Sequence, residues 1–362
     1  MKGIKIFTLL FIGGLLAGCV SENGVDELVY PEHIVGEVSV FLSAEDSSDY
    51  GRPTAIKARP GGLYFIDSGQ TQISRTDLQG NLEFSFGSRG EGPGEFLSIT
   101  VFWLLGDTYL VYDYNNFKFS TFDQHGSLLK EEILSENPVN PGSGRSIPIT
   151  VEALSEDKLL IPTGGSEGSL FAITEPGGGD VIYAGNALGE FQAIYDRETV
   201  MQAYSRGEIP GILKNLVMIG VSSSAIYSLQ QTTGVLEKFT HSGEQIWELE
   251  LNIPGQDGLL EQISQYNIEA VRNNEPTQMF IHARAMDASE EGVAMLLNMP
   301  EIKPAVVAWV PADGSGVEII TIENLELNKF GFMGMFTLSI EDQTAYYLER
   351  DTGTVYQFEW PL

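Results

Sequence analysis

The chain has 362 residues, of which 43% are hydrophobic, a single cysteine and a formal net charge of −30. A single cysteine excludes an internal disulfide and any site built from paired cysteines, so stability has to come from a sizeable packed core. The negative charge excludes nucleic acid as a favourable partner, because its phosphates would be repelled.

Residues 1–18 have the layout of a secretory signal: Lys2 and Lys5, an apolar run over 6–16, then small residues. The apolar run is shorter than the roughly twenty residues that a membrane-spanning helix needs. The motif "LAGC" resembles the lipobox of bacterial lipoproteins, which implies cleavage before Cys19 and lipidation of that cysteine. We therefore expect contact with the membrane through the lipid anchor only.

Residues 19–33 are polar and acidic and are predicted to be a tether, so that a folded domain covers residues 34–362. Val20, rather than aspartate, follows the cysteine, which favours the outer membrane as the location. The sequence leaves open whether the protein faces the periplasm or the cell surface.

An internal repeat organises the rest of the chain. The unit "GGLYFIDSGQTQISRTDLQGNLEFSFG" reads as three strands joined by turns, and "GDTYLVYDYNNFKFSTFDQHGSLLKEEIL" repeats it. Four weaker copies follow, and a short apolar inner strand precedes each copy. Four strands that recur six times predict an all-β, six-bladed β-propeller with four-stranded blades.

The last copy lacks its outer strand, and the alternating segment Glu37–Ser43 has no other unit to join. We predict that this N-terminal strand completes the last blade, with Val38 and Val40 beside Tyr356 and Phe358. Such a closure hides a sheet edge that would otherwise pair with other chains. We therefore expect a monomer.

Two segments between repeats, residues 189–214 and 257–275, have the spacing of helices and are predicted to be helical insertions. Tyr195, Tyr204 and Tyr266 lie in them. If both insertions emerge on one rim, these tyrosines would form a binding edge over the central channel.

The segment "GSRGEGPGEF", from Gly87 to Phe96, raises the question of a phosphate-binding loop. The spacing is GxGxG, Pro93 lies among the glycines, and β-branched and aromatic residues follow instead of a helix. A dinucleotide-binding or P-loop motif needs that helix. We interpret the segment as a corner between two blades.

This segment resembles the GxGPGEF element of six-bladed propeller lipoproteins of Bacteroidetes and related bacteria, which are similar to NHL-repeat propellers. The lipobox and the six units agree with the resemblance, which covers residues 34–362, although the later units lack the element. The resemblance implies the fold and a place in the cell envelope more than any chemistry.

Chemically capable residues on or near the predicted inner strands are the candidates for a channel site: Glu152, His282, Arg284, Asp287 and Glu341. No catalytic spacing occurs among them. We expect a binding scaffold for an envelope protein or an oligosaccharide, with no cofactor and no catalysis. The alternative is a metal-dependent hydrolase, lactonase or lyase that holds a divalent cation in the channel. Its oxygen and nitrogen ligands would come from Glu152, His282, Asp287 and Glu341.

Overall fold

The structure, a computed structural model, describes residues 30–45, 47–134, 151–176, 179–189, 197–206, 208–275, 277–278, 281–300, 303–327 and 335–362. Cys19 and Tyr195 lie outside these residues. Two short strands come first, β1 (Glu32–Val35) and β2 (Ser39–Leu42).

The first three repeats each form one four-stranded antiparallel sheet, a blade. Blade 1 contains β3 (Pro53–Arg59), β4 (Gly62–Asp67), β5 (Gln72–Thr76) and β6 (Leu82–Phe86). After a small ribbon of β7 (Ser88–Arg89) and β8 (Glu95–Phe96), blade 2 contains β9 (Ile99–Leu105), β10 (Thr108–Asp113), β11 (Lys118–Asp123) and β12 (Leu128–Ile133). Blade 3 contains β13 (Glu152–Ser155), β14 (Lys158–Pro162), β15 (Ser169–Thr174) and β16 (Ile182–Asn186).

The last three repeats continue the ring. Blade 4 contains β17 (Val217–Val221), β18 (Ala225–Gln230), β19 (Val235–Thr240) and β20 (Gln245–Glu250). Blade 5 contains β21 (Ala283–Ala288), β22 (Gly292–Leu297), β23 (Ala305–Pro311) and β24 (Glu318–Ile322). Blade 6 contains β25 (Met335–Ser339), β26 (Thr344–Glu349) and β27 (Thr354–Glu359), and β2 is its fourth strand. The predicted six-bladed propeller is confirmed.

The core lies between neighbouring blades. The second strands β4, β18 and β22 are buried along their whole length, because a blade packs on a neighbour through each of its faces. The apolar clusters accordingly combine adjacent blades, such as Tyr64 of blade 1 with Tyr109 of blade 2. Each blade therefore depends on both neighbours for its stability.

The predicted closure of the ring is also confirmed. Strand β2 pairs antiparallel with β27, with Val40 opposite Tyr356 and Ser39 opposite Gln357. The strand begins at Ser39, so Val38 precedes it and packs against the blade 5 and 6 core.

The sequence did not predict the role of β1, which pairs in parallel with β24 and adds a fifth strand to blade 5. Just before it, Tyr30 packs against the apolar cluster of blades 4 and 5. We call residues 30–42 the N-terminal belt, because they contact blades 4, 5 and 6 in turn.

The two predicted insertions are helical. Helices α1 (Arg197–Ser205) and α2 (Gly211–Lys214) lie between blades 3 and 4, and α3 (Asp257–Asn273) lies between blades 4 and 5. Within the described residues, none of the helices has the length and apolar character needed to cross a membrane.

Candidate functional site

The glycine-rich segment is a corner whose amide groups are occupied by the chain's own carboxylates. The Glu95 carboxylate accepts a hydrogen bond from the Gly92 amide at 2.8 Å, and Glu131 accepts one from the Gly94 amide at 3.0 Å. Buried Lys118 donates to the Glu95 carbonyl at 2.6 Å and pairs with Glu131 at 2.8 Å. The amides that a phosphate would need are therefore already bonded, as expected for a structural corner.

Asp67 and Asp113 end equivalent strands and are completely buried. Asp67 accepts hydrogen bonds from the amides of Gly69 at 2.9 Å and Gly51 at 2.8 Å. Asp113 accepts from the amide of Leu97 at 2.6 Å and from three other donors in the flanking loops. Each carboxylate thus fixes its own turn and the chain that enters the inner strand of the same blade, which matches a capping role.

Neighbouring inner strands contact one another around the central channel in the order β9, β13, β17, β21, β25 and β3, and β9 contacts β4 of blade 1. There the structure brings together two of the predicted residues, Glu152 and Asp287, with a lysine that the sequence analysis missed. Lys57 of β3 lies 3.9 Å from the Asp287 carboxylate, joining blades 1 and 5. We call Lys57, Glu152 and Asp287 the channel cluster.

Hydrogen bonds hold Asp287 in place. One of its carboxylate oxygens accepts from the Thr337 hydroxyl at 2.7 Å and from the Leu338 amide at 2.9 Å. The Thr337 hydroxyl in turn accepts from the Ala58 amide of β3 at 2.9 Å. Blades 5, 6 and 1 are therefore connected by a continuous polar network beside the channel.

Glu152 of blade 3 completes the channel cluster electrostatically. Its negative charge is the main reason that the pKa of Lys57 is raised, and Asp287 adds to this effect. Burial raises the pKa of Glu152, while Lys57 opposes that rise. The Trp103 indole N–H is close enough to lower the pKa of the Glu152 carboxyl, but it makes no hydrogen bond of normal geometry.

Lys57 and Asp287 lie deep in the ring, yet 30% and 15% of their side-chain surfaces are accessible. Accessible surface at that depth is consistent with side chains that face the central channel. The channel cluster therefore offers one ammonium and two carboxyl groups to a ligand that enters the ring. A cation bound at this place would be repelled by the Lys57 ammonium.

The other three channel candidates lie elsewhere. His282 is buried, and its Nδ1 is 2.9 Å from the Gln231 carbonyl of blade 4. The imidazole therefore helps to join blades 4 and 5. Arg284 donates from Nε to the Asn298 side chain at 3.1 Å, within its own blade. Glu341 is exposed in the turn between β25 and β26.

The two insertions pack against each other, α1 on α3. Tyr204, predicted to be a rim residue, is buried. Its hydroxyl accepts a hydrogen bond from the buried Asn267 side chain at 2.8 Å. Tyr266 lies on the outer side of α3 and is 40% exposed, as is Met201 of α1. The insertion pair therefore forms one preassembled surface with exposed apolar side chains.

Within the described part of the chain, no group of three or more histidine, cysteine, aspartate or glutamate side chains is placed to hold a metal ion. The sequence analysis did not select Lys57, which lies in the predicted inner strand "PTAIKA". The signal that could have found it is a lysine in an otherwise apolar inner strand.

Six four-stranded blades around a central channel define the class of this protein, a six-bladed β-propeller. No family model and no curated protein matches the sequence.

Solved structures share the fold. A protein from Bacteroides fragilis NCTC 9343, named for its presumed export, is similar with a TM-score of 0.51 and 13% identity, covering 90% of this chain and 98% of that chain. A member of the DUF4221 family from Bacteroides vulgatus ATCC 8482 has a TM-score of 0.49 and 10% identity, covering 90% and 96%. Virginiamycin B lyase from Staphylococcus aureus has a TM-score of 0.42 and 10% identity, covering 90% and 89%. At these identities the likeness concerns the fold alone.

Proposed function

We propose that this protein is a lipid-anchored propeller of the cell envelope that binds a protein or an oligosaccharide through the face carrying its insertions. The observation that carries the proposal is the packing of α1 on α3 through the buried pair Tyr204 and Asn267. A helix pair that is already assembled costs little ordering entropy when a partner binds.

Two features support the place and the anchor. "LAGC" before the acidic tether is the motif expected for lipidation of Cys19. The name of the Bacteroides fragilis protein of the same fold refers to export. A Cys19→Ala variant should move the protein from the membrane fraction to the soluble fraction and should not incorporate radiolabelled palmitate. Unchanged membrane association would contradict the anchor.

The binding proposal is tested by pull-down from envelope extract and by a glycan array with the full chain in detergent. Replacing exposed Tyr266 by serine should remove most of the captured ligand, because the insertion pair loses an exposed aromatic contact. Ile246→Ser on β20 is the matched control, since Ile246 is 52% exposed but lies on another surface. Equal capture by both variants would rule out the insertion pair as the binding face.

The channel cluster is the place to test for the divalent cation considered in the sequence analysis. Calcium or zinc, added during thermal unfolding, should raise the melting temperature by mass action if the folded ring binds it. A rise that disappears in Glu152→Gln would favour the enzyme alternative over a pure scaffold. An unchanged melting temperature with either ion would count against that alternative.

A further inference from the structure

The outer strand of blade 3, β16, and the residue just before it expose a run of large apolar side chains at a sheet edge where no described strand pairs. Val181, Ile182 and Tyr183 are 43%, 41% and 49% exposed. Strand β16 pairs with β15 on one side, and no described strand pairs with its other edge. An edge of this kind offers free backbone donors and acceptors for another strand.

The comparable outer strands protect their edges with charge or with an added strand. Strand β6 carries Glu83, β12 carries Lys130, and β20 carries Glu248 and Glu250. Strand β24 is covered by β1. Among the described outer strands of five or more residues, only β16 has neither a charged residue nor a strand beside it.

The molecule itself shows that an outer edge of this ring accepts an added strand. Strand β1 pairs with β24 over four residues, and Val35 of β1 enters the core of blades 5 and 6. Main-chain hydrogen bonds and a buried side chain therefore help to hold a strand at this edge, together with Tyr30 and β2 on either side of it in the chain. The same geometry is available to a strand that comes from another chain.

We propose that the free edge of β16 binds an extended segment of a partner protein in which apolar residues alternate with lysine or arginine. Exposed Glu175 and Asp180 precede the strand, and the next blade presents Glu244 and Glu248. A basic segment complements these charges, whereas a second copy of this chain would bring another net charge of −30. This inference rests on the proposed scaffold function and gives it a second surface.

The side chains beside this edge set the pattern that a partner segment has to match. Val181 directly precedes the strand and lies two residues before Tyr183, a spacing that in an extended chain places both side chains on the same face. Ile182 points to the other face, where the turn at Gly243 of blade 4 lies beside it. The apolar residues of the partner would pack against Val181 and Tyr183, and its basic residues would face the acidic surroundings.

The test uses three fluorescent peptides and the full chain in detergent: Ac-KVKVKVK-amide, Ac-KVKPKVK-amide with the same charge, and Ac-EVEVEVE-amide. By fluorescence anisotropy the first should bind about tenfold more tightly than the other two, because proline interrupts the ladder and glutamate reverses the charge. Hydrogen exchange in residues 182–186 should slow with the first peptide only. Equal binding of the two lysine peptides would overturn strand addition.

The double variant Val181→Lys, Tyr183→Lys should weaken binding of the first peptide about tenfold, since a lysine-bearing edge repels it. Val40→Lys on β2 introduces a lysine at a comparably exposed position of the outer strand of blade 6, away from the acidic residues of blades 3 and 4, and should change binding little. Because these side chains are exposed, all variants should melt as the wild type does. Equal loss in both variants would indicate attraction to the acidic surface alone and would reject the site.

Sedimentation of the full chain tests whether a second copy of this chain, instead of a basic partner, covers the edge of β16. If the wild type is a dimer and the Tyr183→Lys variant a monomer, a second copy covers the edge and the proposed basic partner is wrong. The outcome is separable from that of the proposed function, because Tyr266→Ser tests the insertion pair and leaves β16 intact.

Discussion

The outer wall of the propeller is built differently in its two halves. In blades 4, 5 and 6, the N-terminal belt contacts the outer strands through Tyr30, β1 and β2. In blades 1, 2, 3 and 4, the last strand of each repeat is also the last strand of the sheet, and in blade 4 the belt contacts that strand without adding another. Ring closure and an added edge strand therefore come from one segment at blades 5 and 6, whereas charged residues protect the outer strands of blades 1, 2 and 4.

The halves also differ in how a blade secures the chain that enters its inner strand. Blades 1 and 2 use the buried carboxylates of Asp67 and Asp113, which bind amides. Between blades 4 and 5, the Gln231 side chain bonds both the amide and the carbonyl of Ala283. An amide side chain performs this role without burying a charge. Blades 1 and 2 instead bear the free-energy cost of burying a carboxylate.

The largest expected effect concerns closure by the belt. Leu42 of β2 is only 2% exposed and packs with Ile56 of blade 1 and Tyr346 of blade 6. Leu42→Ala should lower the free energy of unfolding by about 2–5 kcal/mol, because it leaves a cavity where the ring closes. Urea unfolding followed by circular dichroism measures this change.

The matched control is Val40→Ala on the same strand, since Val40 is 57% exposed. It should change the free energy of unfolding by less than about 0.5 kcal/mol. Similar losses in the two variants would mean that β2 contributes by pairing alone and not by packing.

The second effect concerns blade 2, to which the belt adds no strand. Asp113→Ala removes the acceptor for four buried or half-buried donors, so we expect a loss of about 1–3 kcal/mol. Asp107→Ala replaces an exposed aspartate in the turn before β10 and should have little effect. A loss no larger than that of the control would show that water replaces the carboxylate.

Much of the fold could be predicted because its signals are local. Alternating strands, Asp-Gly turns and helical spacing each lie within one repeat, and the unpaired segment before the first repeat had one sheet left to join. The parallel pairing of β1 could not be predicted, because "EHIV" is short and has no alternation that identifies a partner strand.

The candidate site was less predictable, because ring geometry decides which inner strands meet. Glu152 and Lys57 are separated by nearly a hundred residues, yet each influences the pKa of the other. His282 and Arg284 are two residues apart, a spacing that places side chains on one face of a regular strand. A register shift between Ala283 and Ala285 breaks that alternation.

The third effect arises where the two halves face each other across the channel. Burial raises the pKa of Glu152, so the folded protein binds this proton more tightly than the unfolded chain does. The stability that this group contributes is complete below the ordinary glutamate value of 4.5 and is lost as the pH rises through the raised pKa. The Glu152→Gln variant should not lose stability in this way, because an amide side chain has no proton to release.

The urea midpoint of Glu152→Gln minus that of the wild type should therefore increase from pH 4.5 to neutral pH, starting at the ordinary glutamate value. The pKa of Lys57 is raised, so Lys57 stays charged throughout. Its attraction for ionised Glu152 is already part of the net upward shift of the Glu152 pKa. Glu341→Gln, at an exposed turn, controls for exchanging a carboxyl group for an amide. A difference that stays constant with pH would contradict a raised pKa for Glu152.

The smallest effect concerns the belt where it lies on blade 5. His33 Nε2 is 2.7 Å from the Glu318 carboxylate, but the side chains are 31% and 30% exposed. A polar contact with that much access to water contributes less than about 1 kcal/mol, so His33→Ala should barely change the urea midpoint. Backbone pairing of β1 with β24 and the buried Val35 would then account for holding the belt. A loss of stability as large as that of Leu42→Ala would instead mean that the contact between His33 and Glu318 is a main attachment of the belt to blade 5.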